Sequence, residues 1–329
     1  MVPSMAKRRA ARILMKLATL HDGSRDGQLV VVARDLATAQ HASAIATRMQ
    51  QLLDDWNFLS PQLEDVYAAL NAGKARHAFP FDPRQCMAPL PRAFCWARAC
   101  DAARDAPAAS GPPTLHLRRG DALLGPREDA VGIDVGEANA HACAAVLAAV
   151  GGDLPRAAAP AQALEAVRLL MLALEWTAPA PSTQAAGASE PGDTARATAF
   201  APVAVTPDEL GAAWRGGRVH LPLRLDCDGA AAATVDAAAA MTHDFGALLA
   251  ALARTQGLRA GTIVGSRALL AALAPARAKT APMAPDAPLR PAGVRARLEM
   301  RADDEGGIGR SVFGAVEQGL AVSDGAAHS

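Results

Sequence analysis

"KLATLHDGSRDGQLVVVARD", Lys16 to Asp35, sets the class of the fold. Two apolar runs flank the turn Asp22-Gly23-Ser24-Arg25-Asp26-Gly27, and Leu29 to Val32 is mostly β-branched. Asp-Gly steps tolerate the positive φ that a tight hairpin demands, so the stretch predicts an antiparallel hairpin. Downstream, "TAQHASAIATRMQQLLDDWNFLSPQLEDVYAALNAG" carries apolar residues at helical spacing. It predicts two helices broken at Ser60-Pro61, with Ser60 capping the second and Gly73 ending it. Hairpin and helices fall within 15–100. "DAARDAPAASGPP", residues 101–113, reads as a linker.

Residues 114–329 are mostly strands and turns, so the class is α+β and mainly β. "AQALEAVRLLMLALE", 161–175, has helical periodicity. Residues 178–195 are low in complexity and are expected to be mobile. Thr206-Pro207 predicts a helix start with Pro at the first helical position. "RVHLPLRLDCDGA" reads as one strand turning at Asp228-Gly229, and "THDFGALLAALARTQGL" as a helix capped by Thr242 and ended by Gly257. "RAGTIVGS" predicts a strand and turn, and "RARLEMRADDEGGIGRSVFGAVEQ" a closing hairpin. The alanine-rich 137–151 is open between strand and helix, because alanine favours helix over sheet.

Hydrophobic residues make up 51% of the chain but aromatics only 4%. Alanine inflates the first figure while burying little area, so core stabilisation at about 25 cal/mol per Å² is weaker than it suggests. Acids and bases balance at 33 each. That leaves no basic footprint for nucleic acid. Cys86, Cys95, Cys100, Cys143 and Cys227 form no C-x-x-C pair, which fits a reducing compartment. No apolar run approaches the roughly 18 residues of a membrane span. The expectation is a cytoplasmic protein with no membrane partner, in which residues 1–14 form a disordered extension ahead of Met15.

Several blocks resemble one known family. They are the opening hairpin, "LLDDWNFLSPQLEDVYAALNAGKARHAFPFDPRQCMAPLPRAF", "ATAFAPVAVTPDELGAAWRGGRVHLPL", "LRAGTIVGS" and "GRSVFGAVEQ". The resemblance is to the bacterial fumarylacetoacetate hydrolases and runs from about Met15 to Leu320. It implies a small N-terminal β-containing domain over 15–100, a C-terminal mixed β-sandwich roll over 114–329 and a homodimer. It also implies metal-dependent hydrolysis of the C–C bond of a 1,3-diketo acid, fumarylacetoacetate giving fumarate and acetoacetate, in aromatic amino-acid breakdown. Such a site needs Mg2+ or Ca2+ held by carboxylates, a base for water, and cations for the developing charge.

The family's Asp-x-Glu-x-Glu strand uses the two-residue repeat to put three carboxylates on one face. Anchored on Leu124-Gly125-Pro126 and Gly152-Asp153, those positions fall on Ala142, Ala144 and Val146. Anchored on Gly132-Ile133-Asp134, they keep Asp134 but place Gly136 and Ala138 at the glutamates, with Glu137 on the other face. In "LEWTAP" the family's Asp is matched by Glu175, its Ser by Thr177 and its Arg by Pro179. Glu175 is the candidate metal ligand, Asp121 a second, and Arg196 a stand-in for the family's substrate-binding lysine. The family's Tyr-x-Asn-His segment has no counterpart here, so the catalytic base is unassigned.

The plainer readings are a water-exposed helix-end carboxylate for Glu175 and a turn residue for Asp121. For His141 and His116 they are structural histidines, for Arg118-Arg119 a solvated pair, and for Asp226-x-Asp228-Gly229 a hairpin turn rather than a calcium loop. "GGIGRSVFG" lacks dinucleotide-fingerprint spacing. Two functions follow: an impaired C–C bond hydrolase of the family, or a catalytically inactive paralog that keeps the scaffold and acts as a dimer partner or regulator.

Overall fold

The opening hairpin forms as read, with β1 (Lys16–Leu20) antiparallel to β2 (Gln28–Val32) and Leu20 opposite Gln28. The turn is held by short polar contacts: Ser24 N donates to Asp22 Oδ1 at 2.9 Å and Gly27 N to Ser24 Oγ at 3.1 Å. Gly27 sits at φ +59°, and a Cβ there would lie 2.6 Å from the Leu20 carbonyl oxygen, so only glycine fits. The computed structural model describes residues 13–100, 111–128, 141–177, 195–228, 230–274, 291–302 and 309–321. Most of the extension 1–14, most of the linker 101–113, Asp134, Gly136, Glu137, Ala138, Gly229 and nearly all of the low-complexity stretch lie outside them.

After the hairpin come β3 (Thr38–His41), α1 (Met49–Asp54), α2 (Trp56–Asn71) and β4 (Phe79–Pro80). The helix break falls at Asp55, not at Ser60-Pro61; Ser60 is buried inside α2 and caps nothing. Pro61 is tolerated because the carbonyl it leaves unserved, that of Asn57 four residues back, belongs to an exposed residue. Next come β5 (Trp96–Cys100), β6 (Thr114–Arg118), β7 (His141–Gly151), α3 (Pro160–Glu165), β8 (Val167–Thr177), β9 (Ala195–Phe200) and β10 (Ala204–Val205). The segment read as one helix over 161–175 is helical only to Glu165. "VRLLMLALEW" is instead a strand buried on both faces, which a continuous apolar run cannot distinguish from a buried helix. Of the alanine-rich stretch, 141–151 form the β7 strand, and 137–140 lie outside the described residues.

A short 3-10 turn at Pro207–Ala213, kinked at Gly211, replaces the helix expected after Thr206-Pro207. Then follow β11 (Trp214–Arg215), β12 (Arg218–Val219), β13 (Pro222–Cys227), β14 (Ala233–Asp236), α4 (Ala237–Ala240) and α5 (Phe245–Leu252). The single strand expected over "RVHLPLRLDC" is split into β12 and β13. Asp244, not Thr242, caps α5, its carboxylate accepting from Ala247 N at 3.0 Å; the helix ends before Gly257. The chain closes with β15 (Thr262–Gly265), β16 (Leu270–Ala274), β17 (Pro291–Ala302), β18 (Arg310–Ser311) and β19 (Val316–Ala321), the expected final hairpin being β17 and β19.

The large sheet runs β4-β3-β2-β1-β10-β8-β7-β15-β5-β6, with β9 on β8 and β16 on β7. It therefore continues from the N-terminal hairpin into the C-terminal strands. One face packs against the smaller sheet of β13, β14, β17, β18 and β19, bringing Leu170, Leu172 and Leu174 against Leu223, Leu298 and Phe313. The other face carries α1 and α2, with Leu169 and Met171 joining Leu52, Leu59 and Leu63. The fold is thus mainly β, an N-terminal β-containing part followed by a β roll. No helix among the described residues is long and apolar enough to cross a membrane.

Gly265 allows the sheet face to close beside β5: a Cβ there would come 2.5 Å from Trp96 Cη2 and 3.0 Å from Val146. Gly265→Ala is expected to cost about 1–3 kcal/mol through overpacking. Leu172→Ala should cost about 2–5 kcal/mol through the cavity it leaves. Urea denaturation of each variant checks both figures.

Candidate functional site

Glu175 stands near the end of β8, paired in register with Ala144 on β7 and Thr198 on β9. Leu174 and Trp176 face the smaller sheet, so Glu175 faces the other way, with Ala173 and Met171. It is fully buried, not the water-exposed helix-end carboxylate of the plainer reading. Directly opposed residues in an antiparallel pair share a face. Ala144 and Val146 therefore lie on Glu175's side, and Ala142 occupies the next alternate register position.

The cation at Glu175 is Arg98 of β5, whose Nη1 lies 2.6 Å from Glu175 Oε2, the two side chains 12% and 0% exposed. In the sheet, β7 and β15 stand between β8 and β5, so this pair is made across the face rather than between neighbouring strands. Arg98 follows Trp96 by two residues and shares its face; Arg118 of β6 is registered opposite Trp96. The contact is close but off line: among the described residues neither Glu175 oxygen, nor Arg98 Nε, has an aligned protein hydrogen bond. Burial pushes the Glu175 carboxyl above its usual range, and Arg98 and then Arg118 oppose that rise.

The other candidates do not join this cluster. Asp121 is exposed and forms a surface pair with Arg119, Nη2 to Oδ2 at 2.8 Å. That pair also accounts for Arg119, whereas Arg118 acts on Glu175. Arg196 lies on β9 at a register irregularity between Ala195 and Ala197, its side chain outside the described residues. His141 opens β7 opposite Ala274, its side chain likewise undescribed. His116 is paired in register with Arg98. Asp226 pairs with Arg224 at 3.6 Å, and Asp228 Oδ2 accepts from Arg295 N at 3.0 Å, as in a hairpin end. Among the described residues no three His, Cys, Asp or Glu side chains are grouped to hold a metal ion. Sequence reasoning missed Arg98. The available signal was a lone cation in "CWARAC", a strand otherwise made of small and apolar residues.

Residues 15–92 match the family profile "Fumarylacetoacetase N-terminal domain 2" and residues 94–273 match "Fumarylacetoacetate (FAA) hydrolase C-terminal". The chain belongs to the fumarylacetoacetate hydrolase family. Its fold is similar to that of a maleylpyruvate hydrolase from Sphingobium sp. SYK-6, solved with manganese(II) and pyruvate: TM-score 0.64, 16% identity, 94% of this chain and 100% of that one. A fumarylacetoacetate hydrolase from Exiguobacterium antarcticum gives TM-score 0.61 at 17% identity, over 94% and 100% of the two chains. A 2-hydroxyhepta-2,4-diene-1,7-dioate isomerase from Mycobacterium marinum gives 0.57 at 15%, again over 94% and 100%. A comparison with curated protein sequences returns no match. Solved structures of this fold thus include proteins described as hydrolases and as an isomerase, one of them in complex with manganese(II).

Removing one partner of a buried ion pair leaves the other charge uncompensated, so Arg98→Ala is expected to cost about 3–5 kcal/mol. A raised carboxyl pKa also sets a sign. Glu175's contribution to stability is complete below the usual carboxylate value of 4.5 and is lost as pH rises towards its higher folded value. Arg98→Ala should steepen that loss and Glu175→Gln should flatten it. Urea midpoints at pH 4.5, 6 and 7.5 read the slope.

Proposed function

We propose that this fumarylacetoacetate hydrolase family member does not run metal-dependent C–C bond cleavage. It acts instead as a catalytically silent scaffold whose partner is a second copy of the same chain. The observation that carries the reading is the Arg98 guanidinium 2.6 Å from Glu175. Two unit charges 4 Å apart interact by about 4 kcal/mol at an effective dielectric of 20, so a divalent ion there would be repelled by about 8 kcal/mol. At the same distance the Glu175 carboxylate only cancels that repulsion, leaving no net attraction to replace the ion's water. A hard cation wants about six oxygen donors, and the facing positions Ala144 and Val146 have none. The residues described do not fit the metal, and no catalytic step is derived through it.

The competing reading is hydrolysis of fumarylacetoacetate or a related diketo acid with bound Mg2+ or Ca2+. It is supported by the family match over 94–273. Thermal unfolding separates the two. A specific ion at about 100 times its Kd adds about 2.7 kcal/mol, a rise of several degrees. The expected outcome is no rise in Tm with Mg2+, Mn2+ or Ca2+, and no loss of acylpyruvate absorbance. A metal-specific rise together with turnover sinks the proposal. Light scattering on the same samples is expected to give twice the chain mass; a monomer at micromolar concentration removes the dimer-partner role.

A further inference from the structure

Two thiols meet between the sheets. Cys143 on β7 is opposed in register by Trp176 on β8 and by Ala272 on β16. Directly opposed residues share a face, and Trp176 Nε1 donates to Gln318 Oε1 of β19 at 2.9 Å. Cys143 therefore points at the smaller sheet. Cys227 ends β13 on the inner row of Leu223 and Leu225, and β13 touches β16. Both cysteine side chains are buried. Their sulfurs are in hydrogen-bonding contact, although 84 positions separate them in the chain. Cys86 and Cys100 differ: their thiols turn to the backbone carbonyls of Asp82 and Arg98, at 3.9 and 3.7 Å. The contact also makes the two partners unequal. The hydrogen bond with Cys227, and then burial, push the Cys143 thiol well above its usual range. The same bond draws the Cys227 thiol below its own, against burial and the charges of Asp228 and Asp226.

We propose that Cys143 and Cys227 form an oxidative modification site, a facing dithiol that hydrogen peroxide converts to a reversible disulfide joining the two sheets. Cys227 is the attacking thiol. Its sulfur attacks one peroxide oxygen, the O–O bond breaks, and the departing hydroxide takes the Cys227 proton as water. Cys143 then attacks the resulting sulfenic acid at sulfur. The S–O bond breaks, and the second hydroxide leaves with the Cys143 proton as water. The two thiols lose two electrons and two protons, and the peroxide is reduced to two waters. Asp228, next to Cys227, is exposed, so a small oxidant has only the end of β13 to pass. A reducing compartment keeps the dithiol open until peroxide rises. The disulfide ties β7, the strand opposite Glu175, to the smaller sheet. Closing so long a loop also removes conformational freedom from the unfolded chain.

The proposal does not depend on the reading of Glu175. Its test treats the full folded chain with hydrogen peroxide, quenches with N-ethylmaleimide and maps peptides without reduction. The main cross-linked product should join the Cys143 and Cys227 peptides. Tm should rise by at least about 5 °C and return on adding dithiothreitol. Two results overturn the site: both cysteines still taking maleimide once the oxidised chain is unfolded, or Cys227 reaching the sulfinic acid while Cys143 stays a thiol. Cys143→Ala and Cys227→Ala are small changes in size, and each should remove the peroxide-induced rise in Tm. In Cys143→Ala, peroxide should carry Cys227 on to the sulfinic acid. A rise in Tm that survives either substitution also overturns the proposal. Should a variant not fold, the peptide map of the unsubstituted chain still decides.

Discussion

The ladder between β7 and β8 is the constraint on which the rest depends. Ten residue pairs join the two strands, from Ala142–Thr177 to Gly151–Val167, and both faces of the pair are buried. One face needs the smaller sheet and the other needs α1 and α2, so the layer order follows from this pair. Side chains alternate with a period of two, so a slip of one residue would carry Leu170, Leu172 and Leu174 to the helix side and Glu175 into the apolar layer between the sheets. The register is held at its far end by β15, where Ile263 and Val264 pair with Val150 and Ala149. Alanine contributes little area on β7, and the strand exists because its neighbours supply the hydrogen bonds and the cover.

That register also decides the electrostatics. Glu175 has only small side chains across from it, and a charge buried among them must find a counter-charge. Arg98 meets the need from beyond two intervening strands, reaching over the sheet face. Its fixed positive charge makes the surroundings hostile to a second cation. Family membership and local chemistry thus point in different directions, and function has to be argued from the site rather than from the fold. Lys16 shows the same logic in reverse: it is the buried charge, Glu209 is already engaged by Arg34, and burial makes the lysine yield its proton more readily.

Parts of this were legible in the one-dimensional string. The opening hairpin was, because Asp-Gly turn chemistry and a β-branched run are local signals. The mainly β class and the final hairpin were readable for the same reason. The match of Glu175 to a family carboxylate position came from neighbouring motif residues. The helix boundaries were less legible: Ser60-Pro61 looks like a stop, yet Pro61 costs only one exposed carbonyl its partner. Thr242 and Asp244 are both plausible caps, and only the path of the loop selects Asp244.

The amino-acid order by itself determined which segments could turn, which could alternate, and which carried charge, since these are properties of a few adjacent residues. Only tertiary structure decided that 167–177 is a strand, since a run apolar on all sides suits either element until its neighbours are known. Tertiary structure alone also brought Arg98 to Glu175, 77 positions apart in the chain. The physical reason is common to both. Burial and counter-charge depend on what lies across the sheet, and sequence distance carries no information about that.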